Sequence, residues 1–217
     1  CTDSKIIMLV VDGLGGSPRP QTGESELEVA RLPNLDRLAR ESGCGLTVPV
    51  MPGVAPGSGP GHLALFGYDP LKYFIGRGAL EAMGMDVDLQ QGDVVARGNF
   101  CTVDSQGLIV DRRAGRIPTE VNEDLCRALH RIQGGSVDIR VYPGKEHRFV
   151  LHMRGEGLSE ELSETDPQRT GVPPLELRSL SQHGERTAAV VNEFIRQARQ
   201  LLKGEERANM VLLRGFS

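Results

Sequence analysis

The chain has no tryptophan, and aromatic residues make up 4% of its 217 positions, so a largely aliphatic core is expected. It has no long hydrophobic run. The longest, Ile6 to Val11, falls far short of the roughly 20 apolar residues that a membrane-spanning helix needs. No basic segment followed by an apolar one opens the sequence, which reads against a signal peptide. No CxxC pair occurs. Cys1, Cys44, Cys101 and Cys126 are scattered, which argues against a zinc ribbon or a thioredoxin-type site and fits the reduced thiols of a cytoplasmic protein. There is also no excess of positive charge. Lys and Arg total 25 against 29 Asp and Glu, a net charge of −4, which speaks against general affinity for nucleic acid or anionic membranes. A local basic pocket for a phosphorylated metabolite stays open. The chain starts at Cys1 without an initiator Met and stops at Ser217 just after an apolar run, so both ends read as cuts.

What is present has two textures. Lys5 to Asp12, KIIMLVVD, suits a strand buried on both faces of a parallel sheet, and Gly13, Gly15 and Gly16 break it. Pro33 to Arg40 reads as a helix with Pro33 at its first position and Gly43 as its stop. Pro49 to Gly61 is too rich in Gly and Pro for a regular element, and a helix could open at His62. From about Asp86 the pattern turns to hairpins. Ala96–Asp104 and Leu108–Arg112 form one across Asp104-Ser105-Gln106-Gly107, and Val137–Tyr142 and His147–Arg154 form another. Thr119 is placed to cap a helix carrying Leu125 and Leu129. Thr187 to Lys203 is a second amphipathic helix, and Met210 to Leu213 is a final strand.

Several residues could carry chemistry. Asp12 ends the first strand, and ligand crevices in open α/β sheets lie at the carboxyl ends of strands. It reads either as a metal ligand or as a cap for the following turn. Ser58, between Gly57 and Gly59 ahead of a helix, reads either as a nucleophile exposed at a helix N-terminus or as an incidental loop serine. His62 reads as a ligand, a substrate contact or a satisfied loop histidine. Arg112, Arg113, His147, Arg148 and Arg214 form a basic set whose arginine forks match phosphate and carboxylate, although charge clusters of this kind are often only solvated surface.

Taken in order, VVDGLG, LPNLDRLARESGCGL, PGSGPGHLALFGYDP, GRGALEAMG, GDVVARGNFCTVD and DRRAGRI resemble the archaeal-type 2,3-bisphosphoglycerate-independent phosphoglycerate mutases of the alkaline phosphatase superfamily. The resemblance runs from Lys5 to the last residue. It implies an α/β fold, namely part of an alkaline-phosphatase-like core over residues 1–85, an inserted α+β substrate-gripping domain over 86–208, and a return toward the core over 209–217. It implies a phosphoserine enzyme of glycolysis that interconverts 3- and 2-phosphoglycerate. The cofactors would be two divalent metals, manganese or zinc with magnesium as a further option, and no 2,3-bisphosphoglycerate. Asp12 matches a metal ligand, and Ser58 matches the nucleophile that is also a ligand. Arg112, Arg113, His147, Arg148 and Arg214 are the candidates for gripping the substrate. A small phosphorylated metabolite is the expected partner, with neither nucleic acid nor membrane, and the expected location is cytoplasmic.

Two departures stand out. Gly59 takes a place that is acidic in many archaeal members, and the family's later Asp and His ligands have no counterpart in this chain. Asp12 and Ser58 alone are too few to hold two metals, so the chain by itself is expected to be inactive as a mutase. The alternatives are a related metal-dependent phosphotransferase, such as a homoserine-kinase-like enzyme, and a non-catalytic truncated binding module.

Overall fold

The computed structural model describes residues 3–11, 14–54, 56–73 and 75–217, with the backbone but not the side chain of Ser58. The chain forms two compact units, Cys1–Val48 and Pro49–Ser217.

In the first unit, α1 (Glu26–Val29) opens on a reciprocal cap. Ser25 Oγ accepts from the Glu28 N–H, and the Glu28 carboxylate accepts from the Ser25 N–H. α2 (Pro33–Glu41) carries Pro33 in its first turn, where a missing N–H is harmless, as its sequence predicts. The strand expected from Lys5 is absent. Residues 5–11 carry no strand assignment, and Ile6 is 97% exposed. A strand persists only through the ladder it shares with a neighbour, and the described residues of this unit include no strand to pair with. Asp12, the expected end of that strand, lies outside the described residues.

The second unit begins with α3 (Ser58–Leu65) and α4 (Arg77–Met83). α3 starts at Ser58 rather than at His62, inside the stretch whose composition reads against a helix. Pro60 falls in the first turn, where its N–H would have had no carbonyl to reach, so the ring is tolerated. From Val94 the chain builds β1 (Val94–Val103), β2 (Ile109–Asp111), α5 (Thr119–Leu129), β3 (Asp138–Pro143), β4 (Arg148–Arg154), α6 (Glu185–Leu201) and β5 (Met210–Arg214). Both expected hairpins form. In the first turn, Asp104 Oδ1 accepts from the N–H groups of Gln106 and Leu108, and Gly107 supplies the φ of +81° that the turn requires.

The sheet is antiparallel. β1 pairs with β4, with β5 and, at its far end, with β2, while β3 extends the sheet beyond β4. Period-two alternation sends Val94, Ala96 and Phe100 of β1, Phe149, Leu151 and Met153 of β4, and Val211 and Leu213 of β5 into one core. Leu125 and Leu129 of α5 and Val191, Phe194 and Ala198 of α6 close over that face. The opposite face receives α4. A Cβ on Gly78 would lie 2.5 Å from the Val95 carbonyl oxygen, so only glycine lets the helix come this close. The Gly78 N–H donates to the Gly215 carbonyl, and Ser217 continues the pairing with Val95. The chain is therefore α/β in class, with helices packed on an antiparallel sheet. No helix among the described residues is long and apolar enough to cross a membrane.

Candidate functional site

The α4 side of the sheet holds a cavity of about 230 Å³. Pockets for drug-sized ligands run to roughly 300–1,000 Å³, so this one is sized for a smaller molecule. Strand alternation places Arg97 and Asn99 of β1 on the same face. The register sets Arg214 of β5 opposite Arg97, and Arg148 of β4 opposite Asn99. Arg112, Arg113 and Arg116 line the cavity from the segment that leaves β2, Arg77 from the start of α4, and Glu146 and His147 from the turn before β4. Seven arginines thus share one lining with a single carboxylate.

Several of these groups are held by partners behind them. The Asp111 carboxylate accepts from the N–H groups of Arg113 and Gly115 at 2.7 Å each. That folds Ala114, Gly115 and Arg116 into three successive positive-φ conformations, a strained turn of the kind that clusters at functional sites. Arg112 donates through Nε and Nη2 to both oxygens of buried Asp166, at 2.9 and 2.7 Å. Arg214 Nη1 lies 3.6 Å from the same carboxylate. Burial alone would raise the Asp166 carboxyl, but Arg112, the Gln168 N–H and Arg214 outweigh it and hold it below its ordinary value. The turn that carries His147 is clamped by α5. Asn122 Nδ2 donates to the carbonyls of Glu146 and Arg148, and Thr119 Oγ1 accepts from the Glu146 N–H. Thr119 is therefore the first residue of α5 rather than its cap, and its hydroxyl serves the neighbouring turn.

Several of the cavity's buried polar atoms make no hydrogen bond, although Arg97 Nε, His147 Nδ1 and Arg214 Nε have carboxylate oxygens of Glu81, Glu146 and Glu164 at 4.0, 3.8 and 3.9 Å. Among the described residues, five buried side-chain nitrogen or oxygen atoms lack a hydrogen-bond partner, and four of them line this cavity: Arg97 Nε, Asn99 Oδ1, His147 Nδ1 and Arg214 Nε. Native proteins seldom leave such atoms unpaired unless a ligand or water completes them. Burial lowers the Arg97 guanidinium from its usual value; Glu81 opposes this, and Arg148, Arg214 and Arg77 reinforce it. Burial, helped by Arg148 and to a lesser extent by Arg113 and Arg97, also brings the His147 imidazole down to about 4, with Glu146 opposing. His147 is therefore neutral at pH 7 in a field of guanidinium charge. The arrangement can bind a small polyanion through paired Arg forks.

Of the residues singled out in the sequence, the structure brings Arg112, Arg113, His147, Arg148 and Arg214 to one cavity. It adds Arg77, Arg97, Asn99 and Arg116. The i, i+2 spacing of Arg97 and Asn99 on a strand puts two of these on one face, but it marks them as site residues only once that face is known to be the one α4 covers. Ser58 is the first residue of α3. A Cβ on Gly57, just before it, would lie 3.6 Å from Arg77 Nη2, so the start of α3 abuts a side chain that lines the cavity. His62 sits one turn further along the same helix. The described residues contain no group of three or more His, Cys, Asp or Glu side chains that could hold a metal, so they supply no donor set that fits such an ion.

Two further clusters lie apart from the cavity. Asp93 accepts from His152 Nε2 at 2.9 Å and from Arg154 Nε and Nη2 at 2.8 and 2.7 Å. Arg154 chiefly holds the Asp93 carboxyl far below the usual range, against the opposing effect of burial. His152 and Arg154 thus pin the start of β1 to the end of β4 and do not line the arginine cavity. Cys101 and Cys126 are core residues, and burial pushes the Cys126 thiol up to about 12, which leaves it unreactive.

Comparison with known proteins gives a consistent result. A family model described as 2,3-bisphosphoglycerate-independent phosphoglycerate mutase matches residues 39–208. A Thermus thermophilus protein named "Probable 2,3-bisphosphoglycerate-independent phosphoglycerate mutase" is 53% identical over all of this chain and 54% of its own length. A Thermotoga neapolitana protein of the same name is 49% identical over 99% of this chain and 53% of itself. The chain therefore spans about half the length of the curated relatives it matches. Among solved structures, the cofactor-independent phosphoglycerate mutase from Thermoplasma acidophilum superposes with a TM-score of 0.62 at 38% identity, covering 72% of this chain and 45% of that one. A protein from Pyrococcus horikoshii superposes with a TM-score of 0.66 at 26% identity, covering 95% of this chain and 49% of that one.

Proposed function

Because the chain belongs to the 2,3-bisphosphoglycerate-independent phosphoglycerate mutase family, we propose that it carries the substrate grip and the nucleophile of a phosphoglycerate mutase. The observation that carries this reading is the cavity of seven arginines, four of whose buried polar lining atoms make no hydrogen bond. A phosphoglycerate is a compact polyanion with a phosphate and a carboxylate on a three-carbon frame. Guanidinium forks bind both groups, and planar pairs fix orientation as well as charge. Arg112, Arg113, His147, Arg148 and Arg214 are assigned to that grip, with Arg97 and Arg77 joining them.

In this reading the Ser58 oxygen attacks phosphorus. A P–O bond forms to serine as its hydroxyl gives up a proton, the substrate's own P–O bond breaks, and the departing glycerate oxygen takes up a proton, so the step is proton-neutral. The arginines hold glycerate in place while its other hydroxyl attacks phosphoserine, loses its proton and regenerates Ser58. No 2,3-bisphosphoglycerate is consumed. The N–H groups of the first turn of α3 lack helical partners and favour negative charge beside Ser58. The two divalent metals, manganese or zinc, with Asp12 and Ser58 as ligands, are part of the same reading. Asp12 lies outside the described residues. The division into core residues 1–85, substrate domain 86–208 and returning segment 209–217 also belongs to the proposal, as does a cytoplasmic location in glycolysis. For the chain alone, the proposal is binding without turnover.

The test uses phosphate-labelled 3-phosphoglycerate with a protein of the relatives' length that bears this chain. The expected result is label trapped on Ser58, lost in Ser58→Ala together with conversion to 2-phosphoglycerate. Full mutase activity in Ser58→Ala would overturn the assignment.

A further inference from the structure

The arginines of the cavity answer to negative charge, and charge alone does not separate one small phosphorylated acid from another. Three lining side chains are of a different kind: the carboxylate of Glu146, and the neutral Asn99 and His147. Asn99 is 8% exposed and has its Oδ1 buried without a hydrogen-bond partner. His147 is 4% exposed, and its Nδ1 makes no hydrogen bond but lies 3.8 Å from the Glu146 carboxylate. They are neighbours across the strand pair: Asn99 lies opposite Arg148, and the Phe100 N–H donates to the His147 carbonyl at 2.8 Å. Both side chains are neutral at pH 7, one being an amide and the other an imidazole kept unprotonated by burial and by Arg148.

The chemistry of the unpaired atoms is specific. An amide oxygen can only accept a hydrogen bond. The guanidinium groups around the cavity are all donors, yet none reaches Asn99 Oδ1. Keeping a buried acceptor unpaired is costly, and a donor on a bound molecule would remove that cost. The ionised phosphate and carboxylate of a phosphoglycerate carry no donor. Its single remaining hydroxyl does.

We infer that Asn99 Oδ1 accepts the hydrogen bond of the substrate's free hydroxyl, which makes Asn99 the residue that selects phosphorylated hydroxy acids over phosphorylated acids without the hydroxyl. The inference rests on the phosphoglycerate reading of the cavity. Sites built to pair a substrate hydroxyl reject analogues that lack it far more sharply than apolar pockets reject a missing methylene.

The test is calorimetric titration of the chain with 3-phosphoglycerate and with 3-(phosphonooxy)propanoate, the same molecule without its hydroxyl. The wild-type chain is expected to bind the hydroxylated ligand about tenfold more tightly or better. Asn99→Leu, of similar size, is expected to bind the two alike. Asn99→Ala serves as a second variant should the leucine fail to fold, and the wild-type comparison needs no variant at all. Equal wild-type affinity for both ligands overturns the inference while leaving the phosphoglycerate reading intact, as does an unchanged preference in a folded variant. Binding of neither ligand overturns both.

Discussion

The two compact units respond differently to similar sequence signals. In Pro49–Ser217, apolar alternation became buried strands: Phe149, Leu151 and Met153 of β4 are fully buried because β1 and β3 flank them and α5 and α6 cover them. In Cys1–Val48, the stronger apolar run Ile6–Val11 stands exposed without a strand assignment. A hydrophobic pattern states which surface needs cover. Whether a ladder and a covering layer exist is a property of other segments.

The sharpest way to break this contrast is truncation on each side. Phe149→Ala is expected to cost about 3–5 kcal/mol, because it removes a fully buried ring and leaves a cavity. Ile6→Ala should change stability by no more than about 0.5 kcal/mol. Urea unfolding followed by circular dichroism measures both, and comparable losses at the two positions would dissolve the distinction.

Next in size is the carboxylate that ties β1 to β4. Asp93→Asn should cost about 3 kcal/mol, since it leaves buried His152 and partly buried Arg154 without their charged partner. The folded carboxyl sits below its ordinary value of 3.8, so the wild-type contribution is complete above that value and is lost as pH falls through and below it. Stability curves of wild type and Asp93→Asn should therefore converge in acid. Curves that stay parallel would show that the Asp93 carboxylate is not the source of the difference.

A smaller effect separates the cavity from its scaffold. Asp166→Asn keeps the shape but removes the charge that Arg112 and Arg214 share. The expected outcome is about tenfold weaker binding of phosphoglycerate, about 1.4 kcal/mol, read by isothermal titration. Unchanged affinity would mean that the two arginines hold their places without it.

The mildest perturbation is pH alone. His147 stays neutral down to about 4 in the folded chain against an ordinary value of 6.5. Between those values the unfolded chain binds a proton that the folded chain refuses, so stability falls as pH drops through this window and His147 has no further effect below it. Nitrogen-detected NMR of the imidazole should give a midpoint near 4, and a midpoint near 6.5 would place His147 in solvent.

Much of the second unit is legible in the sequence. Both hairpins, the two long helices and the last strand follow from periodicity and turn residues, because each element's neighbours lie within the same unit. α4 is not, because Gly76, Gly78 and Gly84 read as loop, whereas Gly78 is there to let a helix touch β1. Five cavity side chains stand out by charge and by family resemblance, but their convergence does not. Arg112 and Arg214 are far apart in sequence, and only the register of β1 with β5, together with Asp166 behind both, brings them to one place. Arg97 gives no local sign of its role, because a single arginine within a strand reads as solvated surface. Its i, i+2 relation to Asn99 becomes informative only once the face that α4 covers is known.

The central claim is that the arginine cavity binds a small phosphorylated carboxylic acid. The most direct measurement is a crystal structure of the chain soaked with 3-phosphoglycerate. The account predicts ligand density in the cavity, with anionic oxygens within hydrogen-bond distance of Arg97, Arg148 and Arg214. An empty cavity at saturating ligand, or ligand bound only elsewhere, would contradict it.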